Sequence, residues 1–311
     1  MPALPHRCFL AGIIACLLAG FTGDAALAGE LEWDLKVGDQ FDVSLVHSTV
    51  SESVVGEFKA DQTYRYQLGT TWTVTDVDDQ RTATIEKQVR SIQLKIVSVS
   101  PIPMQIEVDT AKSTASGKTF SGTEGETLLK HLQSLVGKTL HWKMKPNGET
   151  QALPIPQATQ DAIDAFPESD YVLQMFDLSS IAESETSYVV VLPDHSPEPG
   201  ETWTQESDLA VHENPAFVTL FRYVGETDRD GKRLSQFTTN TTPKRVGDRK
   251  LPPDSPDAAS VIKQTGEGKC FFDREARNFV DSAYRSRIVT TSSAQQSVIT
   301  SDVASTIRRK P

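Results

Sequence analysis

After its first 28 residues the chain is written largely in alternation. Phe41, Val43 and Leu45 recur at every second position with polar residues between them, and Tyr64, Tyr66 and Leu68 do the same. A period of two puts each set on one face of a β-strand. Trp72 and Val74 continue the second run after a break at Gly69. Asp76-Val77-Asp78-Asp79-Gln80 then reads as a hairpin turn, because Asp tolerates turn geometry and bonds its own backbone. The return strand carries Ala83, Ile85 and Val89, then Ile92, Leu94 and Ile96. The odd step from Val89 to Ile92 would flip the apolar face, so a β-bulge near Arg90 and Ser91 is predicted, in a long, curved strand.

The pattern then changes period. Residues 110–122, rich in Ser, Thr, Gly and Lys, read as a loop. From about Glu124 to Val136 the apolar positions are Leu128, Leu129, Leu132 and Leu135, the stripe of an amphipathic helix. Thr123 and Glu126 are spaced as a capping box, and Gly137 suits the C-terminal cap. Leu140, Trp142 and Met144 restore the strand period, and Pro146-Asn147-Gly148-Glu149 is a hairpin turn. Residues 157–185 read as broken helix interrupted at Pro167, and Tyr188 to Leu192 as a short buried strand. Beyond Pro193, Pro197 and Pro199, one face holds Phe217, Thr219, Phe221 and Tyr223. A turn at 228–232, a return from Leu234 to Thr242, a loop over 243–260, an aromatic strand at Cys270-Phe271-Phe272 with a turn at 273–278, and a Ser/Thr-rich strand from Ser282 to about Thr300 complete the reading.

One detail occurs twice. Gly38-Asp39-Gln40-Phe41 and Gly200-Glu201-Thr202-Trp203 are both Gly-acid-x-aromatic turns that open a β-rich stretch, and each stretch later carries an aromatic hairpin. This predicts one β module built twice: a mainly β (α+β) chain of two related curved antiparallel sheets or half-barrels with a few covering helices. The expected division is a first module over 29–152, a helical connector over 153–196 and a second module over 197–311, with packing of both modules as one domain as the alternative. Sheets of that shape resemble periplasmic lipoprotein-carrier folds, a likeness of fold alone.

Residues 1–28 read as a signal peptide: Arg7, an apolar run from Phe9 to Phe21, and Ala26-Leu27-Ala28 as the cleavage site. Ile13-Ile14-Ala15-Cys16 is a competing lipobox with Cys16 as the lipid-bearing residue. The apolar run Leu17 to Phe21 suits no lipoprotein tether, so cleavage after Ala28 is the simpler reading. No later stretch approaches the roughly 20 apolar residues of a membrane-spanning helix. Export to the periplasm or the exterior would leave Cys270 as the single thiol, beside Phe271 and Phe272, and without an intramolecular disulfide a packed core must carry stability. Removing Arg7 and Asp24 together leaves the net charge at −11. That acidity argues against nucleic acid and anionic membranes as partners.

The chemistry-bearing motifs are weak. Ser116-Gly117-Lys118-Thr119 and Gly137-Lys138-Thr139 contain a GKT, but Lys112 and Leu132 stand where a P-loop needs its first glycine. His47, His131, His141, His195 and His212 show no metal-ligand spacing, although His131 and His141 could approach in space. No G-x-S-x-G elbow occurs, and Asp76, Asp78 and Asp79 lack the glycine and distal glutamate of an EF-hand. No catalytic residue, cofactor or metal is assigned. Trp33, Trp72, Trp142 and Trp203 read first as core anchors. The alternative is an apolar lining in a curved sheet, for which Trp72, Trp142, Phe221 and Tyr223 are the candidates.

The run Leu31-Glu32-Trp33-Asp34-Leu35-Lys36-Val37-Gly38-Asp39-Gln40-Phe41 also carries a resemblance. With Thr71-Trp72-Thr73-Val74-Thr75-Asp76-Val77, Glu107-Val108-Asp109-Thr110, Leu135-Val136-Gly137-Lys138, Pro146-Asn147-Gly148-Glu149 and Gly200-Glu201-Thr202-Trp203, taken in order, it resembles a family of secreted proteins found chiefly in planctomycete-type bacteria. That family has no assigned activity, so the resemblance implies export and a β-rich fold and carries no catalytic residues with it. The leading expectation is an exported, non-catalytic protein that binds an apolar or amphipathic small molecule or lipid. A structural or protein-interaction role in the envelope is the alternative, and a hydrolase comes third. A large Trp- and Phe-lined pocket would support the first, and a filled core would sink it.

Overall fold

The computed structural model describes residues 31–100, 103–118, 122, 124–165, 190–207, 217–243, 261–291 and 295–311. The expected signal peptide with Ala28 and Cys16, the helical pieces around Pro167, His212 and most of the 243–260 loop lie outside them. Three long strands, β1 (Gln40–Val55), β2 (Phe58–Val77) and β3 (Ala83–Ser100), open the fold as a meander. The shorter β4 (Met104–Asp109) and β5 (Thr114–Gly117) follow, then helix α1 (Gly125–Leu135) and the β6 (Thr139–Met144) and β7 (Thr150–Ala152) hairpin. Helix α2 (Gln157–Asp164) precedes β8 (Thr202–Ser207), β9 (Phe217–Arg229), β10 (Lys232–Pro243), β11 (Val261–Asp273), β12 (Asn278–Thr291) and β13 (Gln295–Arg309). The fold is mainly β with two helices among the described residues, and the thirteen strands join one antiparallel sheet, eleven of them in the order β5-β4-β3-β2-β1-β13-β12-β11-β10-β9-β8, with β6 pairing β3 and β7 pairing β6 off this path. The C-terminal β13 lies beside β1 over fifteen residue pairs and so welds the two halves together. The path ends at β5 and β8 and does not close into a barrel.

The bulge at Arg90 is present. Gly69 pairs with Ser91 and Thr70 with Val89, leaving Arg90 as the extra residue. It sits where the sheet forks. Ala83 to Gln88 of β3 pair with β6, and Gln93 to Ser98 pair with β4. The fork opens over α1, which buries Leu128, Leu132 and Leu135 against Leu45, Leu68, Ile92, Leu94, Ile96 and Ile106. Each such aliphatic side chain contributes about 1.5–3 kcal/mol.

Several local expectations change. The 110–122 loop contains β5, because Thr114 to Gly117 complete the ladder of β4. Helix α1 is capped at Glu124 without a side-chain hydrogen bond, and Thr123 lies outside the described residues. Val190 and Leu192 are buried but form no ladder. The single closing strand is a hairpin of two, β12 and β13. Ser and Thr populate both arms, so the polar pattern carries no mark of the reversal between them.

The two Gly-acid turns are built alike. Gly38 and Gly200 both have φ of +93°, where a Cβ would be strained. The Gly38 N–H donates to the Val74 carbonyl (2.9 Å) and the Val74 N–H to Asp39 (2.9 Å); the Gly200 N–H donates to Tyr223 (2.7 Å) and the Tyr223 N–H to Glu201 (3.0 Å). In each turn the acid accepts from the amide three residues earlier, Lys36 (2.8 Å) or Glu198 (2.9 Å). The aromatics after them pair alike, Phe41 with Trp72 and Trp203 with Phe221.

One end of the sheet is sealed. The Trp33 N–H donates to Pro146 and the Asp34 N–H to Arg277, so the entering chain crosses between turns of the two halves. Glu32 forms ion pairs with both Arg81 and Arg277. The Leu192 N–H donates to Asn147 (2.7 Å), and the Trp203 indole donates to Val191 (2.7 Å). Under these segments lies the second core cluster, in which Trp33, Phe41, Trp72, Trp142, Phe221, Phe237, Phe272 and Phe279 are all buried.

Candidate functional site

The four predicted lining residues all belong to this aromatic core. Trp72 and Trp142 meet edge to face at 5.0 Å, Phe221 stacks on Trp203 at 5.7 Å, and Tyr223 packs on Phe237 at 5.3 Å. The structure brings them together as side chains that fill space against one another. The Tyr223 hydroxyl donates to Glu226 (2.6 Å), which also accepts from Ser235 and pairs with Arg274, so the polar tip of Tyr223 is spent inside the protein.

A large cleft lies on the other face. It has a volume of about 910 Å³ and crosses the sheet from β1 to β8. Its floor follows from strand register. Thr202 pairs with Arg222, Arg222 with Thr238, Thr238 with Lys269, Lys269 with Ala283, Ala283 with Ala304, and Ala304 with Val46. Cross-strand partners share a face, so these seven side chains form one row across seven strands. The adjacent row holds Leu220, Asn240, Glu267, Arg285, Asp302 and Ser48. Leu220 is 43% exposed there. None of Trp72, Trp142, Phe221 and Tyr223 lines this cleft. Sequence reasoning followed the aromatics and missed it, because its side chains are small, hydroxylic or charged and stand at the polar positions of each alternation.

Electrostatically the two rows differ. Arg285 is held by Asp302 through two hydrogen bonds of 2.6 and 3.2 Å, with Glu267 on its other side. Arg222 and Lys269 have no ion-pair or hydrogen-bond partner among the described residues.

On the core face, His47 is packed against Tyr64 and Tyr66, with its ring nitrogens 3.0 Å from the Thr49 hydroxyl and 3.3 Å from the Tyr64 hydroxyl. Burial pushes its imidazole down to about 4. Lys87 is fully buried with its ammonium 5.9 Å from the Trp142 ring. His141 pairs with Glu86 (3.3 Å) and His195 with Glu201 (2.6 Å). Among the described residues no group of three or more His, Cys, Asp or Glu could hold a metal. Asp78 instead accepts from the Gln80 and Thr82 amides of its own turn. Lys118 of the first GKT pairs with Glu124, and Thr139 of the second begins β6.

Burial pushes the Cys270 thiol up to about 12, and the Asp281 carboxylate adds to the effect. A thiolate-specific reagent at pH 8 is therefore expected to leave the native protein unlabelled and to react fully in denaturant. Rapid labelling without denaturant would place the thiol outside the core.

No protein-family model matches the chain, and no curated protein matches it. Among solved structures, it is similar to lipovitellin, in a structure concerned with lipid–protein interactions, at 9% identity and a TM-score of 0.50. The match covers 89% of this chain and 26% of the lipovitellin chain, so this protein corresponds to about a quarter of that molecule. An outer membrane channel from Pseudomonas putida F1 matches over 91% of this chain and 100% of its own, at 7% identity and a TM-score of 0.26. The lipovitellin likeness is one of fold. Among the described residues no helix is long and apolar enough to cross a membrane.

Proposed function

We propose that this protein is an exported, non-catalytic β protein that binds an amphipathic small molecule in the cell envelope, and that the β1-to-β8 cleft is the binding site. The carrying observation is the cleft itself. Its volume of about 910 Å³ falls within the roughly 300–1,000 Å³ of small-molecule sites, and its floor sets Ala283, Ala304, Val46 and Leu220 among a majority of hydroxylic and charged side chains, as an amphipathic ligand requires. The fold likeness to lipovitellin, a protein studied for its contacts with lipid, supports the same ligand class. The filled aromatic core rules out the lining expected at Trp72, Trp142, Phe221 and Tyr223, and the reading rests on the cleft of the opposite face instead. The paired turns at Gly38 and Gly200 support a chain built from two copies of one module, and the cleft spans the seam between them.

Native mass spectrometry of gently purified protein tests the reading. An adduct of lipid-like mass is expected, and Ala304→Trp, which fills the floor at an exposed position, is expected to abolish it. A clean mass, or an adduct that survives Ala304→Trp, overturns the assignment.

A further inference from the structure

The row from Thr202 to Val46, the lower of the two with the Leu220-to-Ser48 row as the upper, is polar at one end and apolar at the other. Arg222, Thr238 and Lys269 stand side by side on three neighbouring strands. At a strand spacing of about 4.8 Å, the two cations start roughly 10 Å apart and flank one hydroxyl. Their flexible side chains can converge on a group lying over Thr238. Thr202 adds a second hydroxyl beside Arg222. Past Lys269 the row continues as Ala283, Ala304 and Val46, an alley of apolar side chains about 10 Å long by the same spacing.

Charge sharpens the contrast. The whole chain carries −11, and most of its acids would repel an anion. The upper row holds Glu267, Arg285 and Asp302, with Arg285 neutralised by its bidentate pairing to Asp302. The lower row has two cations and no acid. Arg222 and Lys269 are engaged by no ion pair among the described residues, so both remain available to a ligand. The Arg222 guanidinium lies beside Gly200 of the turn that opens β8.

Resting on the proposed binding function, we infer that the cleft takes a single-chain anionic lipid. The carboxylate or phosphate head is held by Arg222, Lys269 and the Thr238 hydroxyl, and the hydrocarbon tail lies over Ala283, Ala304 and Val46. Charge-assisted hydrogen bonds from a guanidinium and an ammonium select the anion, and a single apolar row with Arg285, Asp302 and Ser48 beside it offers contact to one tail.

Fluorescence titration with cis-parinaric acid and with its neutral methyl ester tests this on the mature chain. The acid is expected to bind at least about tenfold tighter than the ester, the worth of a hydrogen bond to a charged group. In the Arg222→Gln/Lys269→Gln double variant that preference is expected to vanish, so that acid and ester bind equally. Both positions face outward from the sheet, and an unchanged urea midpoint confirms that the variant folds. Equal binding of acid and ester, or a double variant that keeps the preference, overturns the anionic-head reading and leaves the binding function standing. Absence of binding by either probe, together with a clean native mass, overturns both. Acid binding that Ala304→Trp does not weaken places the tail elsewhere and overturns the inference.

Discussion

Replacing Phe237 with alanine is expected to lower the free energy of unfolding by about 3–5 kcal/mol, the usual cost of removing a buried aromatic ring. Phe237 is fully buried, and its ring lies 6.1 Å from Trp203, 5.3 Å from Tyr223 and 5.9 Å from Phe279. It therefore ties β8, β9, β10 and β12 together at the sealed end. The void cannot collapse easily, because its walls are aromatic rings already held by other contacts. A domain has only about 5–15 kcal/mol in total, so this variant sits near the edge of folding. Leu132→Ala removes a fully buried side chain of α1 and should cost about 2–5 kcal/mol. The two residues belong to separate core clusters, so the double variant should be additive within about 0.5 kcal/mol. The β1–β13 ladder makes one sheet of both halves, so each single variant should still unfold in one transition. Urea denaturation followed by tryptophan fluorescence and circular dichroism reads both points. A Phe237→Ala loss no greater than that of the exposed Leu220→Ala, about 0.5 kcal/mol or less, would show that the aromatic cluster is not packed as described.

The second large effect is a loss of stability on mild acidification that depends on His47. In the unfolded chain the imidazole titrates at about 6.5, and in the folded protein burial holds it at about 4. Below 6.5 the unfolded chain therefore takes up the proton first. The stability due to the neutral ring is fully present above 6.5 and is lost as the pH falls through that value toward 4. The complete loss is about 3 kcal/mol, with about 2 kcal/mol of it between pH 6.5 and 5. The ring's near neighbours are the hydroxyls of Thr49 and Tyr64, with Ser301 behind Thr49 at 3.0 Å, and the rings of Tyr64 and Tyr66. No carboxylate lies within ion-pair distance of it among the described residues, so nothing there compensates an imidazolium. His47→Gln keeps hydrogen-bonding capacity toward both hydroxyls but cannot titrate. Unfolding free energies of the two proteins from pH 7.5 to 5 should converge as the pH falls. A wild-type slope matched by His47→Gln across that window would show that the ring is not buried neutral.

Local sequence determined the elements whose signals are local. Period-two runs placed β1, β2, β3 and β6, the odd step at Val89 to Ile92 located the bulge, and the leucine stripe produced α1, because a side chain's face is set by its own strand or helix. The twin turns at Gly38 and Gly200 were legible because a positive φ and a carboxylate three residues from its amide partner need only four consecutive residues. The β12–β13 reversal left no such mark, since Ser and Thr suit a strand's wet face and a turn alike. Beyond that, tertiary structure decided. Nothing in the alternation specifies that β13 lies beside β1, and that pairing alone makes the halves one sheet. It also decided what the aromatics do. Trp72, Trp142, Phe221 and Tyr223 are apolar whether they line a cavity or fill one, and only the arrival of Trp33, Val190 and Leu192 over that end of the sheet settles it. The cleft is the converse case. Arg222, Thr238, Lys269, Ala283, Ala304 and Val46 come from β9, β10, β11, β12, β13 and β1, six strands spread along the chain. Ladder register brings them into one row, and register is a property of the assembled sheet.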